Sequence, residues 1–68
     1  MDPEEQRWVA GKTLRIARSV KDLSQRELAR LSGVGLKTLV KFEHGRGALS
    51  GEETARIWTV LASVQEDP

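Results

Sequence analysis

The 68-residue chain has no cysteine and no tyrosine, and only one histidine, one phenylalanine, two tryptophans and two prolines. Without cysteine there is neither a disulfide framework nor a thiolate metal site, and a reducing cytoplasm suits the sequence. Three aromatic residues are too few for the stacking platforms that single-strand nucleic-acid binders use. No apolar run approaches a membrane span, and no basic-then-apolar leader opens the sequence. Enzyme chemistry also lacks its materials. Paired carboxylates converging on a cleft, a phosphate-cradling glycine loop and metal-ligand spacing are all missing, and one histidine does not make a triad. The sequence therefore predicts no catalytic residue, no cofactor, no metal and no membrane partner. The length allows one small domain with a modest core, near the lower limit of independent stability.

Charge is present but unevenly placed. The formal net charge is only +1. Residues 6–49 hold ten Lys and Arg against Asp22, Glu27 and Glu43, which leaves +7. Residues 1–5 and 50–68 each carry −3. A basic middle flanked by acidic ends is the footprint expected of a phosphate-binding surface, although solvated helix faces produce charge as well.

That basic middle contains Ser24 to Gly45, reading SQRELARLSGVGLKTLVKFEHG. Ser24-Gln25-Arg26-Glu27 is a Ser-x-x-Glu capping box, the start signal of a helix. Leu28, Ala29 and Leu31 supply its apolar stripe, and Gly33-Val34-Gly35 breaks it, since glycine adopts the left-handed backbone that ends helices. A second helix restarts at Leu36, with Leu39 and Phe42 inward and Lys37, Thr38 and Lys41 outward, and stops at His44-Gly45. Two short helices across a tight glycine turn, the second with a basic outer face, form a helix-turn-helix.

The flanks complete the architecture. Asp2 as cap, Pro3 at the first helical position and two following Glu predict a helix from the amino end to about Val20 or Lys21. Ala10, Leu14, Ala17 and Val20 form its expected stripe. Gly11 is expected to let a neighbouring helix approach closely, and Trp8 to pack against the terminal helix. Leu23, just before the Ser24 cap, suits a hydrophobic staple. Arg46 to Leu49 is a loop. Ser50-Gly51-Glu52-Glu53 is a second capping box, starting a helix near Gly51 that fades at Ser63 or Val64. Thr54, Ile57, Trp58 and Leu61 are its expected buried residues. The fold class is thus all-α, a compact bundle of four helices over residues 1–64, with 65–68 as a flexible polar tail.

These residues carry a resemblance. Ala10-Gly11, Leu14-Arg15, Arg18, Leu23-Ser24-Gln25, Glu27-Leu28-Ala29, Gly33-Val34, Leu39, Phe42-Glu43, Gly45, Ser50, Ile57 and Leu61 occur in the order of the phage-repressor (Cro-like, XRE-type) helix-turn-helix family. The chain resembles that family over most of its length. The resemblance implies a lambda-repressor-like fold, with the fifth helix of the family absent or truncated.

It also implies site roles. Leu36, Lys37 and Lys41 match positions that face base edges in the major groove; the lysines donate to guanine, while Leu36 makes apolar contact, for instance with a thymine methyl. Gln25, Thr38, His44 and Arg46 match positions near phosphates. Arg18 and Glu43 match an ion pair tying the first helix to the recognition helix, a structural role. His44 stands where the family usually has Asn, and Gly35 where Ser or Thr caps the recognition helix. His44 also has a purely structural role open to it, satisfying helix-end carbonyls. Trp58 is the candidate dimer surface, or else covers the core where the fifth helix is missing.

The function expected is that of a sequence-specific double-stranded DNA-binding regulator, a repressor of phage, mobile-element or antitoxin type. It would act in the cytoplasm as a homodimer on a palindromic operator. The alternative is a module that keeps the fold but binds a protein partner, in the manner of an anti-activator.

Overall fold

Asp2 opens the first helix as its spacing requires: its carboxylate accepts the Glu4 N–H at 2.7 Å and the Glu5 N–H at 3.3 Å. In the computed structural model, which describes residues 2–64, four helices follow in order. These are α1 (Pro3–Val20), α2 (Gln25–Ser32), α3 (Leu36–Glu43) and α4 (Gly51–Ser63). Among the described residues there is no strand. The expected tail at 65–68 lies outside the described residues.

Local chemistry explains each boundary. α1 ends in a paired closure in which Asp22 N–H donates to Ser19 O at 3.0 Å and Leu23 N–H to Arg18 O at 3.2 Å. This Schellman arrangement needs a left-handed residue, and Asp22 supplies it at φ 58°. α3 ends the same way, with Gly45 at φ 76°, Gly45 N–H on Phe42 O and Arg46 N–H on Lys41 O at 2.8 Å. Ser24 Oγ accepts the Glu27 N–H at 3.0 Å, while the Glu27 carboxylate faces Arg30 at 3.6 Å. At α4 both halves of the box form: Ser50 Oγ accepts Glu53 N–H at 3.0 Å and Glu53 Oε1 accepts Ser50 N–H at 2.9 Å.

The core lies between the helices and consists of Leu14, Leu28, Ala29, Val34, Leu39, Ile57 and Leu61. Ala17, Leu23, Leu36, Phe42, Leu49 and Val60 pack partly against it. Gly11 is buried because the backbone of α3 crosses it. A Cβ at that position would collide with the Phe42 carbonyl oxygen and come within 3.1 Å of Glu43 Cα. Close approach at this glycine is what brings α1 and α3 together.

Several expected core residues lie elsewhere. Ala10, Val20 and Leu31 are exposed, and Thr54 is half-buried with its hydroxyl on Ser50 O. The buried face of α1 is narrow, built from Gly11 and Leu14, so residues well round the helix from that line stay in solvent. Leu31 lies on the rim of a shallow groove that Ala55, Arg56 and Thr59 border from α4. Trp58, one residue beyond the buried Ile57, is rotated off the core and exposed. Trp8 is not packed on the terminal helix. Its Cα lies 3.3 Å from where a Gly45 Cβ would stand, so it rests against the end of α3, with Lys12 Nζ 4.8 Å from its ring centroid.

Candidate nucleic-acid interface

The site is built from α3 and from what holds α3 in place. Glu43, the last residue of α3, is buried, with its side chain 1% exposed. The Arg18 guanidinium, 14% exposed, reaches it from α1 in a two-pronged bridge: Nε–H donates to Oε2 at 2.9 Å and Nη2–H to Oε1 at 3.0 Å. A third Arg18 N–H, on Nη1, donates to the Leu23 carbonyl at 2.7 Å. Gln25 adds a donor from α2, its Nε2 lying 3.1 Å from Glu43 Oε1. One carboxylate therefore joins three helices, and planar fork geometry fixes the angle as well as the distance. Among the described residues no buried side-chain polar atom lacks a partner.

The turn between α2 and α3 is tied by a buried serine. Ser32 Oγ–H donates to Leu28 O at 2.7 Å, and the same oxygen accepts the Val34 N–H at 3.3 Å. Gly33, at φ 73°, takes the left-handed turn, and buried Val34 anchors it to the core. α3 then starts at Gly35 without a side-chain cap.

On α3, Lys37 and Lys41 are exposed and one turn apart, hence on one face. Arg46 is exposed beside them, its backbone held by the bond to Lys41 O. Among the described residues none of these three cations forms an ion pair, whereas Arg18, Arg30 and Arg56 each do. Leu36 and Thr38 are half-buried, and Leu36 packs partly on the core. His44 is exposed at the end of α3, and its Nδ1 donates to Val40 O at 2.8 Å. That bond satisfies a helix-end carbonyl and leaves Nε2 as the ring atom for an outside partner. Gln25 is half-buried, with its amide on Glu43.

The structure thus brings Arg18, Glu43 and Gln25 together in one cluster. It sets Lys37, Lys41, His44 and Arg46 along an adjoining surface. Trp58, on α4, is not part of either group; it borders a groove with Ala17, Val20 and Lys21. The Leu23 carbonyl, the Ser32 hydroxyl and the Gln25–Glu43 bond are contributions that the sequence pattern did not disclose. Leu23, next to a helix cap, and Gln25, inside a capping box, carried local signals; Ser32 carried none. Among the described residues no group of three or more His, Cys, Asp or Glu is placed to hold a metal ion.

A family model described as helix-turn-helix matches residues 12–57, which takes in the second half of α1, all of α2, the turn and α3, and about half of α4. The chain belongs to the Cro-like, XRE-type helix-turn-helix family. Membership makes it a DNA-binding regulator of a non-enzymatic family, with the all-α fold that the four helices display. No curated protein and no solved structure matches the chain. Within this family frame, α2 and α3 are the helix-turn-helix pair. Among the described residues no helix is long and apolar enough to cross a membrane.

Proposed function

We propose that this helix-turn-helix protein is a sequence-specific repressor that lays α3 in the major groove of double-stranded DNA. It acts in the cytoplasm as a homodimer on a palindromic operator. The observation that carries this reading is the exposed face of α3. Lys37 and Lys41 stand there without ion-pair partners among the described residues, on a helix whose angle Arg18 and Gln25 hold through Glu43.

The work divides into positioning and reading. Arg46 and the His44 ring set register on phosphates at the carboxyl end of α3, Thr38 does so nearer its amino end, and Gln25, with one amide N–H on Glu43, offers the other to a phosphate at the start of α2. Lys37 and Lys41 donate to guanine O6 and N7, while Leu36, at the amino end of α3, offers apolar contact to a thymine methyl. The buried clamp has a consequence for specificity. A recognition helix that rocks would let each lysine reach several base pairs, and a helix pinned at its last residue does not. Two copies would place their α3 helices about 34–36 Å apart, one helical turn of DNA.

Substitution separates the two roles. Lys41→Ala is expected to cost about 1–3 kcal/mol on the cognate site and little on scrambled DNA. Arg46→Ala is expected to weaken binding evenly on both and to reduce the salt slope by about one. Equal losses on both duplexes for Lys41→Ala would remove it from base readout.

A further inference from the structure

The outward side of α1 carries an apolar line that the core does not use. Val9, Ile16 and Val20 are 44%, 52% and 61% exposed. Thr13 lies between the first two, which makes the spacing four, three, four. That spacing puts all four residues on one face of α1, opposite Gly11, Leu14 and Arg18, which face α3. Thr13 adds little polarity to the line, because its hydroxyl already donates to Val9 O at 2.8 Å. At the Val20 end the line runs into a shallow apolar groove that Ala17, Trp58 and Ala62 border.

We propose that this face is where two copies of the chain pair, α1 against α1 in antiparallel, about a twofold axis near Thr13. Three observations support a second copy as the occupant. Alternating four- and three-residue spacing of β-branched side chains is the seam of helix-on-helix pairing, and α1 has already satisfied the core with its other side. Charge changes sign along α1: Asp2, Glu4 and Glu5 open it, and Arg7, Lys12, Arg15, Arg18 and Lys21 follow, with Asp22 in the turn beyond. With the twofold at Thr13, antiparallel pairing brings Glu5 of each copy level with Lys21 of the other, twice by symmetry, and opposes the helix dipoles. A parallel pair would set like charge on like. The exposed Trp58 then flanks the pairing at each end.

Size sets the strength. Eighteen residues make α1 about 27 Å long and about 10 Å wide. The strip is thus roughly 300 Å² per copy, well below the roughly 800 Å² per partner of a standard interface. The pairing is therefore weak in solution and becomes effective when both copies sit on one duplex, where their local concentration is high. The inference rests on the dimeric part of the reading above but not on the DNA sequence bound.

Two measurements without DNA test it. Sedimentation from micromolar to millimolar protein is expected to show a reversible monomer–dimer equilibrium. Ile16→Glu is expected to raise the dissociation constant at least roughly tenfold, with an unchanged helical circular dichroism spectrum. Because the chain has no cysteine, Thr13→Cys gives a single thiol at the twofold. Mild oxidation is expected to cross-link it far faster than Thr59→Cys, placed on α4. A chain that stays monomeric throughout, with both thiols cross-linking equally slowly, would overturn the proposal and leave the face to a different protein. A dimer indifferent to Ile16→Glu would overturn it too. Binding of Ile16→Glu to a mixed-sequence duplex, measured alongside, reports on DNA contact alone, so the two readings fail separately.

Discussion

Glu43→Ala takes away the carboxylate on which α1, α2 and α3 converge. The Arg18 guanidinium, 14% exposed, would keep only the Leu23 carbonyl at 2.7 Å, and the Gln25 amide would lose its 3.1 Å partner. Breaking a buried pair from one side costs about 3–5 kcal/mol, because an uncompensated charge remains. A 68-residue domain has roughly 3–10 kcal/mol of total stability. The single substitution therefore consumes a large part of it, and the melting temperature is expected to fall by roughly 12–40 °C. Arg18→Met combined with Glu43→Leu should recover most of the loss, since apolar replacement of a whole buried pair is often neutral. It should stay about 1–2 kcal/mol below the parent chain, because the Leu23 carbonyl and the Gln25 amide are still left short. Urea unfolding of the parent chain, Arg18→Met, Glu43→Leu and the double variant, followed by far-ultraviolet circular dichroism, gives all four corners of the double-mutant cycle. Additive single losses, or a Glu43→Ala cost under about 1 kcal/mol, would refute the idea that this bridge holds the recognition helix.

Further substitutions probe how the helices are set, and all are read by the same unfolding assay. Gly11→Ala should destabilise by about 1–3 kcal/mol, because its new Cβ meets the Phe42 backbone, which has no side-chain freedom to yield. The sign is the test, since alanine for glycine at an unobstructed helix position would stabilise by about 1 kcal/mol. Ser50→Ala and Ser24→Ala should each cost about 1 kcal/mol through the lost Oγ acceptor, whereas Glu53→Ala should cost more than Glu27→Ala, since only the Glu53 carboxylate accepts the N–H of its cap residue.

The helices were legible in the sequence because their ends are written in local chemistry. Asp2 with Pro3, Ser24 with Glu27, Ser50 with Glu53, and the glycines at 33 and 45 each act within a few residues of where they stand. The expected bounds accordingly lie close to those of α1 to α4. Periodicity told which side of a helix is apolar but not how wide the buried strip is. Ala10, Val20 and Leu31 fit a stripe and still face solvent, because the core takes only a narrow line of α1 and leaves the edge of α2 on a groove rim. Trp8 illustrates the same limit. A large aromatic near a helix start announces a contact, but whether α4 or the end of α3 supplies it depends on packing that no local pattern records. At the site, the exposure of Lys37 and Lys41 followed from helix phase. The Gln25–Glu43 bond did not, since it spans 18 residues and closes only when α2 and α3 are placed. Ser32 was hidden differently: a serine inside a helix normally points to solvent, and here it is buried and ties the turn.

The measurement that tests the central claim most directly is selection from a random-sequence duplex library at two salt concentrations, with the protein titrated over a wide range. A regulator that reads bases through α3 is expected to enrich a palindromic motif, with affinity falling steeply as salt rises. Recovery of no motif, with only weak and salt-sensitive retention of all sequences, would contradict base readout by Lys37 and Lys41 and turn the search to a protein partner.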